Sequence, residues 1–549
     1  MDTYRELQNS IDSEWPIQEF DFVSLNDLHL SSDQISNDIS SDTSTEGRVS
    51  LPIIAAFLLI LACCNYINIA IVSGTKRLKE IGLRKVIGAN KRLIIAQLFT
   101  ENLALTAVAA VIGFVLAISI ILPWFASFAP VASQFDLLDP QMWLFLVLIL
   151  FITAILSGLY PAFYISKFES VQIFRGTLKF GRKNILTKVF LTLQLAVTCI
   201  GIAFAVMLAR NSDYQMKRGW GYNQHDLLYH YTPDYATYQQ LEKAMTEHPT
   251  VKAVAGSQHH FTKAQENATL QLPDKKIEIK RMAVGENYLQ SLKVPLLKGR
   301  YLMEDGQLDR DKALINEQLA KSLAVKDPVG KKVRINDCVY EIVGILEDVH
   351  FYNFYYPINP TLFTTAAKED YRYISIKVNP GTQYEAFDHF EAVAAELYPD
   401  MPFLGGYQED LWNGFYLQLE VQRRFSRIIA ILFIILSSLG LYGLIQLNLA
   451  GRIKEFSIRK TLGAGKFDIT AKIFGQYLLI FEIAVAVGAP AGYYLNDALL
   501  NMMFEGPRPS GLVGAVMASI LLIIILVAVV YSQVNNVIKT NPIKGLKAE

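Results

Sequence analysis

Two glutamate–arginine pairs with the same spacing are the residues of this 549-residue chain best arranged for a specific interaction. Glu80 precedes Arg84 by four positions, and Glu455 precedes Arg459 by four positions, 375 residues further along the chain. A glutamate four residues before an arginine gives the favourable order for an ion pair on a helix. The chemistry that such pairs offer is charged recognition of a partner surface.

The pairs lie in a thirteen-residue segment that occurs twice, at residues 77–89 and 452–464. Both copies keep the same order of charges and end in Gly-Ala, which an ordinary basic membrane loop would not require. The glycines, Gly88 and Gly463, suit the position just after a helix, where a positive φ is needed. Each copy also holds four residues that we expect to form one apolar stripe: Ile81, Leu83, Val86 and Ile87 in the first, and Phe456, Ile458, Thr461 and Leu462 in the second. The sequence therefore predicts two short amphipathic helices parallel to a membrane, each leading by a sharp bend into the next span.

We expect these two helices, named docking helix 1 and docking helix 2, to bind a cytoplasmic subunit. The residues expected to make the docking contacts of docking helix 1 are Lys79, Glu80, Arg84, Lys85, Gly88 and Ala89. Those expected to make the docking contacts of docking helix 2 are Lys454, Glu455, Arg459, Lys460, Gly463 and Ala464.

Seven apolar runs, each about 20 residues or longer, must position these helices. With 52% hydrophobic and 19% charged residues, the chain is unusually apolar for a soluble protein of its length. The runs lie near residues 51–73, 97–122, 142–165, 185–209, 425–449, 472–496 and 511–535. The predicted fold is a multi-span α-helical membrane protein with seven transmembrane helices.

The basic residues indicate the orientation of these spans, because lysine and arginine are enriched in cytoplasmic loops. The basic loops are residues 75–92, 166–188 and 451–472, with seven, six and six lysines and arginines, whereas residues 123–141 have none and residues 497–510 have only Arg508. Both docking helices and the C-terminus are thus predicted to be cytoplasmic. Four spans separate the two copies, so the internal repeat is parallel.

Residues 210–424 are predicted to form one large extracytoplasmic α+β domain with two lobes. Helical patterns occur near residues 235–247 and 385–398, and strand patterns occur at residues 313–316, 332–335, 340–346 and 373–378. Turn residues at 328–330, 336–337 and 379–381 separate the strands. The strand-rich middle, near residues 256–365, is expected to form one lobe and the flanking segments the other.

Metal and catalytic chemistry have little support in this domain. His259 and His260 are adjacent, so they would point apart on a strand, and no second ligand pair near His350 has the spacing of a zinc site. We interpret these histidines as surface residues. None of the G-x-S-x-G, S-x-x-K or H-E-x-x-H motifs is found there.

Several motifs outside the docking helices complete a resemblance to the MacB/FtsX family of ABC transporter permeases, in the duplicated form of Bacteroidetes-type bacteria. They are residues 65–68 (Asn-Tyr-Ile-Asn), 158–162 (Gly-Leu-Tyr-Pro-Ala), 541–543 (Asn-Pro-Ile), Asn316, 328–330 (Pro-Val-Gly), 344–345 (Gly-Ile) and 358–360 (Ile-Asn-Pro). The resemblance covers nearly the whole chain. It implies an inner-membrane protein whose external domain has two periplasmic lobes.

The resemblance also implies a domain organisation. Residues 51–176 and 425–549 are expected to be FtsX-like permease units of three spans each, residues 185–209 a transmembrane helix, and residues 210–424 a MacB-like periplasmic core domain. The acidic residues 1–50 are expected to be the extracytoplasmic remnant of a first periplasmic domain. A full duplication would have eight spans, so we expect an N-terminally truncated chain, with a genuine seven-span protein as the alternative.

In the family, the cytoplasmic motif is a coupling helix that meets an ATPase. The chain has no phosphate-binding loop, since residues 463–467 lack its spacing and final hydroxyl. The resemblance thus implies no cofactor in this chain, no enzymatic activity of its own, and ATP bound by a separate dimeric ABC ATPase. The implied function is mechanotransmission, in which ATP hydrolysis moves the periplasmic domain to export or release a substrate.

Two other functions remain open at this point. One is a regulatory protein of the FtsX kind, whose external domain binds a periplasmic partner such as a cell-wall hydrolase. The other is a proton-coupled secondary transporter, because Glu482 lies inside an apolar run, where an ionisable group is costly. Nucleic-acid binding has no support.

Overall fold

The computed structural model describes residues 5, 45–126, 137–168, 185–272, 275–303, 309–335, 338–351, 353–354, 356–450, 452–503 and 507–539. The chain divides into two compact units. The membrane unit comprises the residues up to Val206, Ile428–Met502 and those from Gly511 onward. The external unit comprises Met207–Arg427 and Met503–Ser510.

Thirteen α-helices are labelled α1 to α13. In chain order they are α1 (Thr45–Lys76), α2 (Leu78–Val86), α3 (Lys91–Leu116), α4 (Pro140–Ser166), α5 (Ile185–Met216), α6 (Tyr235–Thr246), α7 (Tyr288–Ser291), α8 (Glu317–Ser322), α9 (Gln383–Leu397), α10 (Asn413–Ala450), α11 (Ile453–Thr461), α12 (Lys466–Met503) and α13 (Leu512–Lys539). A π-helical turn at Ala117–Ile121 and a short helix at Leu122–Ala126 continue α3.

Seven of the described helices are long and apolar enough to cross a membrane, which confirms the seven predicted spans. They are α1, α3, α4, α5, α10, α12 and α13. The helices extend beyond the predicted ends, as α10 shows by beginning at Asn413 instead of near residue 425. Hydropathy marks only the apolar part of a helix, whereas amphipathic turns outside that part continue the same hydrogen-bond ladder.

The internal repeat is equally clear in the secondary structure. The α2 and α11 helices each span nine residues, and their bounds differ by 375 positions. The following spans, α3 and α12, begin at Lys91 and Lys466, which the same offset relates. The sequence repeat is therefore a structural repeat of helix–bend–span.

Each following span begins with one of the two hydrogen bonds that make up a capping box. Asn90 is the N-cap of α3, and its Oδ1 accepts a hydrogen bond from the backbone N–H of Leu93 at 2.8 Å. At the equivalent position in α12, the backbone N–H of Gly465 donates to Oδ2 of Asp468 at 2.9 Å. These are the two hydrogen bonds that a capping box combines, so both sequences end the bend and start the span at the same point.

Eleven strands of the external unit form one sheet. They are β1 (Leu227–Tyr231), β2 (Val251–Ser257), β3 (Glu266–Gln271), β4 (Lys276–Val284), β5 (Leu296–Gly299), β6 (Lys312–Asn316), β7 (Lys332–Ile335), β8 (Cys338–Leu346), β9 (Thr361–Thr365), β10 (Tyr373–Val378) and β11 (Gly405–Tyr407). The strand order is β11-β1-β10-β2-β4-β3-β7-β8-β6-β9, with β5 beside β8. Because β9 also pairs with β4, the six strands β4, β3, β7, β8, β6 and β9 close into a ring.

The sheet has two parts, as the two-lobed prediction requires. Only the pairing of Ser257 with Val284 joins β2 to β4. On one side, helices α6 and α9 bury residues such as Leu241 and Phe390 against β1 and β10. On the other side, the ring encloses a separate core that includes Ile342. The predicted α+β fold is therefore confirmed.

The predicted elements of this domain agree with the structure where it describes them. The strands expected at residues 332–335 and 373–378 are β7 and β10, and the two predicted helices are α6 and α9. The turns near residues 330 and 381 are formed by glycines with φ of +82° and +83°. The turn expected at residues 336–337 lies outside the described residues.

Candidate functional site

The two docking helices end with the same backbone geometry. The backbone N–H of Ala89 donates to the carbonyl of Arg84 at 2.9 Å, and that of Ala464 donates to Arg459 at 2.9 Å. In docking helix 1 the N–H of Gly88 also donates to Lys85 at 3.1 Å, which completes a Schellman motif. The φ angles of Gly88 and Gly463 are +107° and +91°, as the sequence predicted. The terminal Gly-Ala of each copy is thus explained by the geometry of the bend.

The predicted ion pair of docking helix 1 is formed. Nη2 of Arg84 lies 2.7 Å from Oε1 of Glu80, and Arg77 approaches the same carboxylate at 3.4 Å. The side chains of Glu80 and Arg84 are 44% and 46% exposed, so solvent screens the attraction. The contribution of this pair lies in fixing the directions of the side chains more than in stability.

Docking helix 2 has the same pair within a larger network. Glu455 accepts hydrogen bonds from Arg452 at 2.8 and 2.9 Å, from Arg459 at 3.3 Å and from Lys472 at 3.4 Å. The Arg452 guanidinium, with smaller contributions from Lys472 and Arg459, lowers the pKa of Glu455 to about 2. The carboxylate is therefore ionised throughout the physiological range.

Each docking helix is also fixed to the span that follows it. Nη1 of Arg77 donates to Oε2 of Glu101 at 2.7 Å, and Nη1 of Arg452 donates to Oε1 of Gln476 at 2.9 Å. Both pairs are 24 residues apart, and the 375-residue offset relates them. The sequence interpretation missed these residues. Continuing the repeat beyond thirteen positions would have indicated them, because a side-chain oxygen recurs at the equivalent positions Glu101 and Gln476 inside apolar runs.

The expectation of one apolar stripe is wrong for both helices. Ile81 is 5% exposed and packs with Leu78, Ile94 and Ile165 inside the membrane unit. The exposed apolar face consists of Leu83, Val86 and Ile87 in docking helix 1 and of Ile458 and Leu462 in docking helix 2. At about 100° per residue, positions 83, 86 and 87 lie roughly 140–240° around the helix from position 81. The buried residue therefore anchors the helix, and the opposite face remains open.

The apolar residues of this face have unusually large exposed fractions. Ile87 is 78% exposed, and Leu462, its equivalent by the offset, is 81% exposed. Apolar side chains that are exposed together at a defined position indicate a surface for another molecule. The charged side chains beside them supply the polar rim of such a surface.

The remaining predicted residues have different positions. Lys79 is exposed, whereas Lys85 points into the membrane unit and donates to the backbone carbonyls of Ser166 and Phe168 at 2.7 and 2.5 Å. Lys85 is thus a tether between docking helix 1 and the end of α4. Lys454 and Lys460 lie on α11, but their side chains are outside the description.

In the external unit, an aromatic cluster surrounds the first turn of α10. The indole rings of Trp220 and Trp412 stack with centroids 3.4 Å apart, and Phe354 stacks on Trp220 at 4.1 Å. Nε1 of Trp220 donates to the hydroxyl of Tyr416 at 2.6 Å. Further along, Arg423 forms an ion pair with Asp213 at 3.3 Å, which joins α10 to α5. The ends of the two helices are therefore held together in this unit.

The interpretation of the histidines as surface residues is wrong for His260 and His350. They are 0% and 7% exposed, because the loops that carry them, after β2 and β8, pack into the core. Burial lowers the pKa of both imidazoles to about 4. Nε2 of His260 donates to Oε1 of Gln408 at 2.7 Å, and Nδ1 accepts from the hydroxyl of Tyr288 at 3.0 Å, so both ring nitrogens have partners. Among the described residues, no three His, Cys, Asp or Glu side chains are grouped as a metal site.

Glu482 lies on an exposed face of α12 and forms no ion pair within the described part of the chain. Its equivalent by the offset is Ala107, so the structural repeat gives no second carboxylate. Glu482 therefore occurs in only one half of the repeat, whereas the Glu–Arg pairs of the docking helices occur in both.

Two family models match the chain. The FtsX-like permease C-terminal model matches residues 52–170 and again residues 427–542, and the model of the MacB-like periplasmic core domain matches residues 196–389. Both docking helices lie inside the FtsX-like matches. The ring of strands lies inside the MacB-like match.

Curated relatives are also similar to parts of this chain. The macrolide export ATP-binding/permease protein MacB of Bdellovibrio bacteriovorus is 40% identical over 90 residues, which are 15% of this chain and 14% of the relative. A second MacB, from Chlorobium luteolum, is 33% identical over 26% of this chain and 21% of the relative, so the matches span less than a quarter of these proteins. The uncharacterized ABC transporter permease YknZ of Bacillus subtilis is 22% identical over 54% of this chain and 77% of the relative.

The crystal structure of the periplasmic region of MacB from Actinobacillus actinomycetemcomitans aligns with a TM-score of 0.29 and 12% identity, covering 37% of this chain and 97% of that structure. The FtsX-like model matches the chain twice, and the match to the MacB-like model lies between these two regions. This chain belongs to the MacB/FtsX family of permeases, with one MacB-like periplasmic core domain between two FtsX-like permease regions.

Proposed function

We propose that this chain is the permease subunit of an ABC transporter and that a separate cytoplasmic ATPase, acting as a dimer, docks on its two docking helices. The observation that carries the proposal is the exposed apolar face that recurs at equivalent positions, with Ile87 and Leu462 among the most exposed large apolar residues. Two equivalent surfaces suit a partner with two equivalent subunits. ATP is bound by that partner, and this chain supplies no cofactor.

The docking helices are built to transmit force. Each is anchored by a buried residue, Ile81 or Phe456, and is fixed to the next span by an arginine, Arg77 or Arg452. A push on the exposed face therefore moves the span together with the helix, because the side chains between them are already in contact. A loosely tethered loop would absorb the same displacement.

A continuous helix leads from docking helix 2 to the external unit. The α10 helix has 38 residues, and only Arg452 and position 451 separate it from α11. At 1.5 Å per residue, α10 is roughly 57 Å long, against about 30 Å for the hydrocarbon core of a bilayer. The aromatic cluster of Trp220 and Trp412 packs around the first turn of α10. We infer mechanotransmission, in which ATP-driven motion at the docking helices reaches the periplasmic domain through α10. In this proposal the docking helices and the C-terminus are cytoplasmic.

The proposal is tested by placing a charge on each exposed face. Ile87→Asp and Leu462→Asp are expected to weaken binding of the ABC ATPase that copurifies with the tagged chain by roughly tenfold each, since truncating a well-packed interface residue costs more than about 1 kcal/mol. Leu93→Asp is the matched control, because Leu93 is 62% exposed on the first turn of α3 and its equivalent by the offset is already Asp468. Unchanged ATPase binding in the Ile87→Asp, Leu462→Asp double variant would contradict the proposal.

A further inference from the structure

The strand β11 lies at one end of the external sheet, and among the described strands it pairs only with β1. Just before β11, the carbonyl of Leu404 accepts a backbone hydrogen bond from β1 at 3.2 Å, and just after it the N–H of Gln408 donates one to β1 at 2.9 Å. Such bonds alternate along an antiparallel pair, so the N–H and C=O groups of Gly405 and Tyr407 point away from β1. We name this open side of Gly405–Tyr407 the β11 edge.

Aromatic side chains lie beside the β11 edge. Phe387 of α9 stacks on Tyr407 with ring centroids 4.7 Å apart, and the ring of Tyr384 lies 5.8 Å from that of Tyr407. Tyr384 is 68% exposed, and Leu404 is 50% exposed. Natural proteins protect an edge with charged side chains, proline or a covering element, whereas β11 itself is Gly-Gly-Tyr. Within the described part of the chain, the edge is therefore accessible to another strand.

The surroundings of the β11 edge are also acidic. Burial raises the pKa of Tyr407, and the carboxylates of Asp388, Asp410 and Glu409 raise it further, so these three carboxylates lie around its hydroxyl. Glu409 forms an ion pair with His225 at 2.7 Å. Asp388 and Asp410 form no ion pair with any described residue. Negative charge without a matching cation thus lies next to unpaired backbone groups and exposed rings.

We propose that the β11 edge binds an extended basic segment of another protein, which joins the sheet as a further strand. The backbone of this segment pairs with Gly405 and Tyr407, as in other complexes formed by strand addition. Its lysines or arginines lie on the α9 side, where Asp388 and Asp410 attract them and the ring of Tyr384 offers a cation–π contact. The alternate residues of the segment are apolar, because they point to the other face of the sheet, beside Leu404.

The charges argue against two other occupants. In a second copy of this chain, pairing of the two β11 edges would bring both sets of carboxylates together, and like charges across a strand pair are destabilising. The segment of residues 1–50 carries eleven acidic and two basic residues, so the same carboxylates repel it. The proposal concerns the external unit alone and is independent of ATPase docking.

The test measures binding of a labelled peptide to the full chain in detergent. The probe is an acetylated fluorescent hexapeptide, Lys-Val-Lys-Val-Lys-Val, and fluorescence anisotropy gives its Kd. The Asp388→Asn, Asp410→Asn double variant is expected to weaken binding roughly fivefold, since each exposed charge pair contributes modestly. Glu278→Gln, Glu396→Gln is the matched control, because it removes two exposed carboxylates elsewhere and should leave the Kd unchanged. Equal weakening in both double variants would overturn the proposal.

A second pair of peptides separates strand addition from simple charge attraction. The same hexapeptide with every backbone nitrogen methylated keeps its three lysines but cannot donate backbone hydrogen bonds, and it is expected to bind at least about tenfold more weakly. The peptide with glutamate in place of lysine is expected not to bind. Equal binding of the methylated and unmethylated peptides overturns the proposal. Dimers of the chain that the lysine peptide does not dissociate also overturn it, because a second copy then covers the edge.

Discussion

Asn65 and Gly440 occupy equivalent positions in the two permease regions, and they touch. Oδ1 of Asn65 lies 2.0 Å from the point that a Cβ on Gly440 would take, and Nε2 of Gln194 lies 2.1 Å from it. Nδ2 of Asn65 donates to the carbonyl of Leu436 at 2.6 Å. Equivalent residues of two halves meet at a two-fold axis, so the pseudo-axis of the repeat passes where α1 crosses α10.

This contact predicts a specific need for glycine. Gly440→Ala places a methyl group into the buried amides of Asn65 and Gln194 and is expected to lower the free energy of unfolding by about 1–3 kcal/mol, the usual cost of overpacking. Thermal unfolding in detergent measures the loss. Gly443→Ala is the control, since its nearest neighbour, Ile69, is at an ordinary contact distance of 3.8 Å. Equal melting temperatures for the two variants would contradict the close approach of Asn65 and Gly440 where α1 crosses α10.

The network around Glu455 predicts unequal docking helices. Glu455→Gln leaves three cationic groups without their shared carboxylate, whereas Glu80→Gln releases only Arg77 and Arg84. We expect Glu455→Gln to reduce the response of the bound ATPase to the permease several-fold more than Glu80→Gln does, with membrane insertion intact in both. ATPase rates of the purified complexes, compared at equal amounts of inserted chain, measure the difference. Indistinguishable rates for both variants and the wild type would remove the network from the coupling path.

The helix ends predict a purely conformational effect. Gly88→Ala and Gly463→Ala force an L-residue to positive φ where no neighbour interferes, so each is expected to destabilise its docking helix by roughly 1–2 kcal/mol. Limited proteolysis of the cytoplasmic loops measures this destabilisation as faster cleavage. Gly475→Ala also meets no neighbour but lies inside α12, where alanine favours the helix, and it should be neutral or stabilising. Faster cleavage in Gly475→Ala than in Gly463→Ala would contradict this reasoning.

The buried histidines predict the pH dependence of the external unit. Burial lowers the pKa of His260 to about 4, whereas an exposed imidazole in the unfolded chain titrates near 6.5. Between these values the unfolded state binds more protons, so the free energy of unfolding falls as the pH drops from about 6.5 to about 4, by up to roughly 3 kcal/mol. Melting of the full chain between pH 7 and pH 4.5 reports the slope. His260→Gln should flatten it, and parallel curves for the two proteins would exclude His260 as its source.

The sequence alone determined the features that depend on local composition and period. Apolar runs of membrane length gave seven spans, and charge order with terminal glycines gave the docking helices, their Glu–Arg pairs and their positive φ angles. Alternation and turn residues likewise located β7, β10, α6 and α9. Each of these follows from interactions within a few residues of the chain.

Tertiary structure decided what depends on residues far apart in the chain. Only packing could show that Ile81 is an anchor while Ile87 remains open, because both are apolar and the sequence does not say which face meets α3 and α4. The burial of His260 and the bracing of Arg77 by Glu101 required the same information. The meeting of Asn65 with Gly440 across 375 residues arises from how two similar halves pack around one axis, which no local pattern encodes.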